Sequence, residues 1–317
     1  MARIVDLDEA AALLAAGAVV AIPTETVYGL AADATNEAAL RQVFALKGRP
    51  LGNPLIVHLP DAIAAQDWAN GTGDPAVTAL LARFWPGPLT VVLPARPTVL
   101  PLVTAGSGQV ALRVPAHPLA RALLARFGGA LCAPSANRSG YVSPTCAAHV
   151  LADYPDHDLA VLDGGDCPGG IESTIVRPLG DTLQILRPGA VDLATLRGHW
   201  PGPVLAAEPG ALPVPGSSPR HYAPRTPVLL VGRDRLAEAG PTDAVLAIAP
   251  APTGLDAADL RTLPADPAGY GQVLYATLRE LDRAGHGRLL VQRPPAGEAW
   301  LAIANRLERA AHPERLP

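Results

Sequence analysis

Lys47 is the one lysine among the 25 Lys and Arg residues of this 317-residue chain; the other 24 are arginines. It opens the stretch Lys47-Gly48-Arg49-Pro50, which runs on through Asn53-Pro54 to His58. An ammonium is a compact, flexible point charge suited to phosphate oxygens, whereas a guanidinium is a planar fork that stays charged. Lys47 and Arg49, two residues apart across a glycine, are spaced to converge on oxyanions such as a triphosphate or a carboxylate. A helix C-terminus that attracts cations would also account for both. It does not call for Asn53 and His58 on the following strand.

Three further polar clusters fall at the ends of apolar runs. Pro23-Thr24-Glu25-Thr26-Val27-Tyr28-Gly29-Leu30 offers hydroxyls, a carboxylate and turn amides to a small polar ligand. Ala133-Pro134-Ser135-Ala136-Asn137-Arg138-Ser139-Gly140, ending at Ser143, is a Ser/Asn/Gly loop whose amides can grip a phosphate, or an ordinary capped loop. Gly169-Gly170-Ile171-Glu172-Ser173-Thr174-Ile175, followed by Arg187-Pro188-Gly189, permits close ligand approach beside an anion-binding arginine. Arg113 and Arg187 both sit at strand ends, and each could equally point at water. No Ser lies in a G-x-S-x-G elbow and no His pair has zincin spacing. The inventory of hydroxyls, amides and cations positions phosphates and a carboxylate. It suits an enzyme or binder that handles anionic small molecules, a nucleotide foremost.

These clusters must be held by an α/β framework. Helices are expected over 6–16, 36–47 with Gly48 as the C′ residue, 75–84, 117–127 and, opened by Ser143-Pro144, 143–153. Apolar strands are expected at 18–22, 54–59, 89–94, 110–114, 130–133, 160–163, 173–176 and 183–186. The mixture of hairpin-length and helix-length connections favours a mixed sheet. Between His199 and Pro227 the composition turns Pro- and Gly-rich, as in a linker or extended arm. Beyond it the pattern resumes as strand 227–231, a helix, strand 244–249, helix 269–283, strand 288–292 and helix 298–311, a smaller domain of parallel βα type.

Composition bounds the rest. With 49% hydrophobic and 17% charged residues the chain can bury two cores. A net charge of -4 gives no global attraction to nucleic acid or anionic membrane, so any RNA contact is weak and local. Cys132, Cys146 and Cys167 are odd in number without CxxC spacing, which fits a reducing compartment. The longest apolar stretch, 10–22, is too short to span a bilayer and lacks the basic flank of a signal peptide. A cytoplasmic protein that does not contact membrane is expected.

Taken together, the four motifs resemble, in order and spacing, the YrdC-type family of threonylcarbamoyl-AMP synthases in its long form. The carriers are Pro23 to Leu30, Lys47-x-Arg49-Pro50, Ser135-x-Asn137 and Glu172-Ser173-Thr174-Ile175. His221-Tyr222-Ala223-Pro224 in the linker, Leu278-Arg279-Glu280-Leu281-Asp282 and the run from Asn305 to Ala311 are similar to the long form's second domain. The resemblance implies a YrdC-like twisted mixed-sheet catalytic domain over 1–203, a linker over 204–226 and a Rossmann-like domain over 227–317. It also implies a nucleotidyltransferase that makes threonylcarbamoyl-AMP and pyrophosphate from L-threonine, bicarbonate and ATP, with Mg2+ accompanying the nucleotide. The product would serve downstream tRNA threonylcarbamoyl transferase proteins, which modify the adenosine next to the anticodon.

Carried over by motif, Thr26, His58, Arg113, the backbone at Ala133 and Ser173 would bind threonine. Arg49, Asn53, Ser135, Ser143, Arg187 and Tyr222 would bind ATP. Lys47, Arg49, Ser135 and Asn137 would form the catalytic group beside the phosphates, with no resident protein-bound metal. The sequence departs from the family at Gln109, where a Thr is usual, and at Ser217-Ser218-Pro219 after Pro215-Gly216. The linker is still expected to act as a lid. Two other readings are a carbamoyl-AMP-forming carbamoyltransferase and a non-catalytic double-stranded RNA-binding protein.

Overall fold

The computed structural model describes residues 1–206, 212–216 and 218–313; Ser217 of the departing linker stretch lies outside them. Among these residues the first part of the chain builds an eleven-stranded mixed sheet and the last part a four-stranded one. Across the large sheet the order is Arg3–Val5, Ala160–Leu162, Val20–Ile22, Gly29–Asp33, Leu131–Cys132, Ile56–His58, Gln109–Arg113, Leu89–Pro94, Thr174–Leu179, Thr182–Arg187 and Val204–Ala206. Antiparallel pairs such as Val20–Ile22 with Gly29–Asp33 are mixed with parallel ones such as Ile56–His58 with Gln109–Arg113. The register His58 opposite Arg113 brings two of the expected site residues side by side.

Helices cover the sheet because their apolar stripes need it. In Glu37–Lys47 the buried positions Leu40, Val43, Phe44 and Lys47 share one face, Asn36 caps the start through Ala39 N, and Gly48 closes the end at φ 62°. Pro75–Phe84 and Pro118–Phe127 both place Pro at the first turn behind Asp74 and His117 caps. A fully buried leucine such as Leu40 or Leu112 is worth about 2–5 kcal/mol against truncation to Ala, so these faces fix the sheet that carries the loops.

Several boundaries differ from the sequence reading. The polar motif after Ile22 is a tight turn only as far as Tyr28; Gly29 and Leu30 already belong to a strand. Ser143-Pro144 does not open a helix, since the helix is Ala147–Asp153 with Cys146 at its cap. Ser143 is instead turned inward to a buried carboxylate. Arg233–Glu238 is a 3-10 turn in place of the helix expected after Val231, and Asp259–Leu263 is an additional strand. Val204–Ala206, placed by composition at the start of the linker, pairs in parallel with Thr182–Arg187 as the edge of the large sheet.

The smaller sheet is wholly parallel in the order Val228–Val231, Leu289–Gln292, Ala244–Ile248, Asp259–Leu263. The helices Pro267–Arg283 and Leu301–Ala310 pack around it, and both present buried polar residues toward the first domain: Tyr275 and Arg279 from the former, Arg306 from the latter. No helix among the described residues is long and apolar enough to cross a membrane.

Candidate active site

Thr24 organises the first wall. Its hydroxyl donates to Val27 O at 2.7 Å, which leaves its oxygen to accept from the Thr26 hydroxyl at 2.8 Å and from the Thr26 and Val27 amides. Thr26 Oγ1, with its proton spent on Thr24, accepts from Arg113 NH1 at 3.0 Å. Arg113 is further held by Gly87 O on its Nε and by the Glu25 carboxylate, 2.8 Å from NH2. The guanidinium is therefore clamped on three sides and aimed. Burial raises the Glu25 pKa, and the facing Arg113 more than offsets this, holding the carboxyl below its usual range. His58 beside it is pushed down to about 3 by burial and then by Arg113, so it is a neutral ring at ordinary pH.

Arginines form the opposite wall. Arg187 grips Ser173 through the backbone carbonyl and the hydroxyl, at 2.8 and 3.1 Å from NH2, and reaches Pro215 O of the linker at 2.8 Å. Ser173 Oγ also meets Thr90 Oγ1 at 2.8 Å. Arg49 donates to Pro54 O at 2.7 Å and to Asn53 O at 3.3 Å. Burial is the main cause that lowers its pKa, with Arg187 adding to it. Two buried cations facing one cavity make an anion site.

Thr26, His58, Arg113, Ala133 and Ser173 line this cavity, and so do Arg49, Ser135, Arg187 and Tyr222. Thr24, Glu172 and His221, which the sequence assignment passed over, line it too. Lys47, Asn53, Asn137 and Ser143 do not. Lys47 is 2% exposed, and its ammonium donates to Asn137 O at 2.6 Å and to Ser135 O. It thus holds the Ser135–Asn137 loop from beneath. Burial, then Arg49, lowers its pKa well below the usual lysine value. Asn53 contributes its backbone carbonyl to Arg49. Asn137 spends its amide on Arg138 O and Tyr141 O while its Oδ1, buried, has no hydrogen-bond partner.

Ser143 leads to the residues that sequence reasoning missed. Its hydroxyl donates to Glu172 Oε1 at 2.6 Å, and Glu172 Oε2 accepts from Tyr275 OH at 2.9 Å and Arg306 Nε at 3.0 Å. Both partners come from the smaller domain. Arg306 is 0% exposed and also donates to Pro188 O at 2.5 Å. The linker lies against this group: Tyr222 stacks on Tyr275 at 5.7 Å, and the Arg306 guanidinium lies 5.3 Å from the centre of the Tyr222 ring. Tyr222 adopts φ 59°, a left-handed conformation costing about 1–3 kcal/mol for a bulky residue. Gly216, at φ 81°, makes room for the Tyr222 side chain, since a Cβ there would meet its hydroxyl at 2.1 Å. With the linker seated, the cavity has a volume of about 40 Å3.

Strand ends of an α/β sheet that bring a clamped arginine and two further buried arginines to one cavity define a protein that binds and aligns anionic small molecules. The family model described as "Telomere recombination", for the Sua5, YciO and YrdC proteins, matches residues 12–189. The model "Threonylcarbamoyl-AMP synthase, C-terminal domain" matches residues 191–312. The chain belongs to this Sua5/YrdC family, in the long form that carries the second domain. It is 34% identical to the threonylcarbamoyl-AMP synthase of Pyrococcus abyssi over 322 residues, covering 95% of this chain and 93% of that one. It is 43% identical to the threonylcarbamoyl-AMP synthase of Bacillus subtilis over 228 residues, 70% of this chain and 65% of that protein. The crystal structure of P. abyssi Sua5 complexed with L-threonine superposes with a TM-score of 0.89 at 32% identity, covering 98% of this chain and 97% of that one.

Proposed function

We propose that this chain is an L-threonylcarbamoyladenylate synthase, converting L-threonine, bicarbonate and ATP to threonylcarbamoyl-AMP and pyrophosphate. The observation that carries this reading is the clamped Arg113 fork facing Arg49 and Arg187 across one cavity. One cation is shaped for a carboxylate and two for phosphates. Arg113 takes the threonine carboxylate; Thr26, Ser173 and the Ala133 backbone take its polar atoms. His58, neutral, hydrogen-bonds without adding charge. Arg49 and Arg187 take the phosphates, with Ser135 and Tyr222 completing the nucleotide wall; Asn53 supports it through its carbonyl on Arg49 and Ser143 through its hydroxyl on Glu172.

The reaction needs alignment more than a protein nucleophile. The threonine amine adds to bicarbonate with loss of water, giving a carbamate; a carbamate oxygen then attacks the α-phosphorus, and pyrophosphate leaves with the bonding pair. Positioning and charge stabilisation dominate such phosphoryl chemistry. Lys47 serves it by fixing the Ser135–Asn137 loop. Mg2+ enters on the ATP phosphates, which fits a site where the described residues converge no three His, Cys, Asp or Glu side chains. The product passes to downstream tRNA threonylcarbamoyl transferase proteins, so this chain needs at most a weak RNA contact and works in the cytoplasm.

A 40 Å3 cavity is far below the several hundred that a nucleotide requires, so Pro215, Gly216, His221 and Tyr222 of the linker must withdraw to admit ATP. The test is pyrophosphate release from ATP and bicarbonate with L-threonine, with L-serine and with no amino acid. Threonine-dependent release is expected. Release that needs carbamoyl phosphate in place of threonine would overturn the reading.

A further inference from the structure

A second and larger cavity, of about 620 Å3, lies where the first domain, the linker and the smaller domain meet. Arg138 faces it from the loop just after Asn137, and Arg220 and Arg225 face it from the linker. None of the three has a carboxylate partner among the described residues. Arg138 donates to Leu46 O at 2.6 Å and lies over the Tyr154 ring at 5.2 Å. Arg220 donates to His312 O at 2.8 Å, while its Nε is buried without a hydrogen-bond partner. Arg225 stands over Tyr141 at 5.7 Å.

Asp153 shares the wall but is taken by Arg279, with contacts of 2.9 and 2.6 Å. That pair neutralises itself; Asp282, behind the wall on the Tyr141 hydroxyl and the Thr226 amide, offsets part of the remaining charge, and the wall keeps an excess of guanidinium groups. In a chain of net charge -4, a concave wall with three such charges concentrates anions, and guanidinium forks match phosphate oxygens. The remaining wall is apolar or aromatic: Tyr141, Pro224, Val228 and Leu229. The volume is that of a small-molecule pocket.

We propose that this cavity is a second nucleotide site, distinct from the ATP site, that binds a nucleoside polyphosphate. Its phosphates meet Arg138, Arg220 and Arg225, and its base packs on the apolar wall. Its place in the chain gives it a consequence. Arg138 directly follows Asn137, and Arg220 lies two residues before Tyr222. A ligand bridging them ties the linker to the loop that Lys47 holds, favouring the seated linker over the open one. Such a ligand binds the closed state more tightly and so opposes ATP entry.

The test is calorimetric titration of the full chain with ADP, beside threonine-dependent pyrophosphate release as a separate readout of the proposed reaction. Two ADP per chain are expected for the native protein. Arg225→Glu, at an exposed position, should weaken one of the two events by at least about tenfold and, because the two sites oppose each other, leave the other as tight or tighter; Arg225→Lys should weaken it less. Any ADP binding, one event or two, that Arg225→Glu leaves unaltered would overturn the proposal. So would tRNA binding that Arg225→Glu abolishes while ADP binds once, which would make the cavity part of an RNA surface. Absence of pyrophosphate release in every protein would bear on the proposed reaction and leave the ADP stoichiometry readable.

Discussion

Arg306→Met is the substitution that most directly asks what the second domain does for the first. It removes the donor to Glu172 Oε2 and to Pro188 O while keeping a long apolar stem in a position that is 0% exposed. Glu172 keeps Ser143 and Tyr275 but loses its ion-pair partner, with Arg187 left as the remaining nearby charge. Breaking a buried ion pair from one side costs about 3–5 kcal/mol, because the remaining charge is stranded.

The pH dependence gives the sign. In the native chain burial raises the Glu172 pKa, and Arg306 with Arg187 outweighs it, so the folded value lies below the ordinary 4.5. This group therefore stabilises the protein above pH 4.5, and that contribution is lost as pH falls through the folded pKa. Without Arg306 the burial cause gains ground and the folded pKa moves up. The variant should then be destabilised most at neutral pH and recover relative to the native protein as pH falls. Equilibrium unfolding in urea at several pH values, with Glu172→Gln and the double variant completing a cycle, measures this. A loss below about 1 kcal/mol at neutral pH, or one that does not shrink in the Glu172→Gln background, would refute the argument.

Three shorter predictions follow from the same geometry. Lys47→Arg puts a larger planar group into a buried slot sized for an ammonium on Asn137 O and Ser135 O; steady-state kinetics should show at least about a hundredfold loss in kcat/KM for ATP, and unchanged activity would remove Lys47 from the account. Glu25→Gln keeps the shape but not the charge that clamps Arg113; KM for threonine should rise about tenfold with kcat within about twofold, since the ion pair is lost while the Thr26 and Gly87 contacts of the guanidinium remain, and an equal fall in kcat would contradict a positioning role. His58, held down to about 3, is neutral from pH 5 to 8; the pH–rate profile of His58→Asn should keep the native shape, and loss of an inflection near pH 6.5 would show that His58 titrates.

What was readable in the sequence was the loop chemistry. Thr26, Arg113, Ser173 and Arg187 stand at strand ends where polar residues interrupt apolar runs, and the sheet brings them to one cavity. The strand Gly29–Asp33 was not readable, because Gly-Leu-Ala-Ala-Asp has no β-branched or aromatic residue; its pairing with Val20–Ile22 and Leu131–Cys132 makes it a strand. Lys47 could be placed at a helix end, but the direction of its ammonium depends on a loop 88 to 90 residues away. Tyr275 and Arg306 stayed hidden for the same reason. Each meets Glu172 from more than 100 residues along the chain, and an arginine on an amphipathic helix ordinarily reads as a solvent-facing charge.

In the proposed reaction one cavity joins threonine, bicarbonate and the AMP part of ATP. Incubation of the full chain with isotopically labelled bicarbonate, L-threonine and ATP, followed by mass analysis of the nucleotide products, tests it most directly. An adenylate that carries both the label and the threonine mass is expected, and it should be absent for Arg113→Ala. Pyrophosphate released alongside plain AMP, with no labelled adenylate trapped at early times, would contradict it.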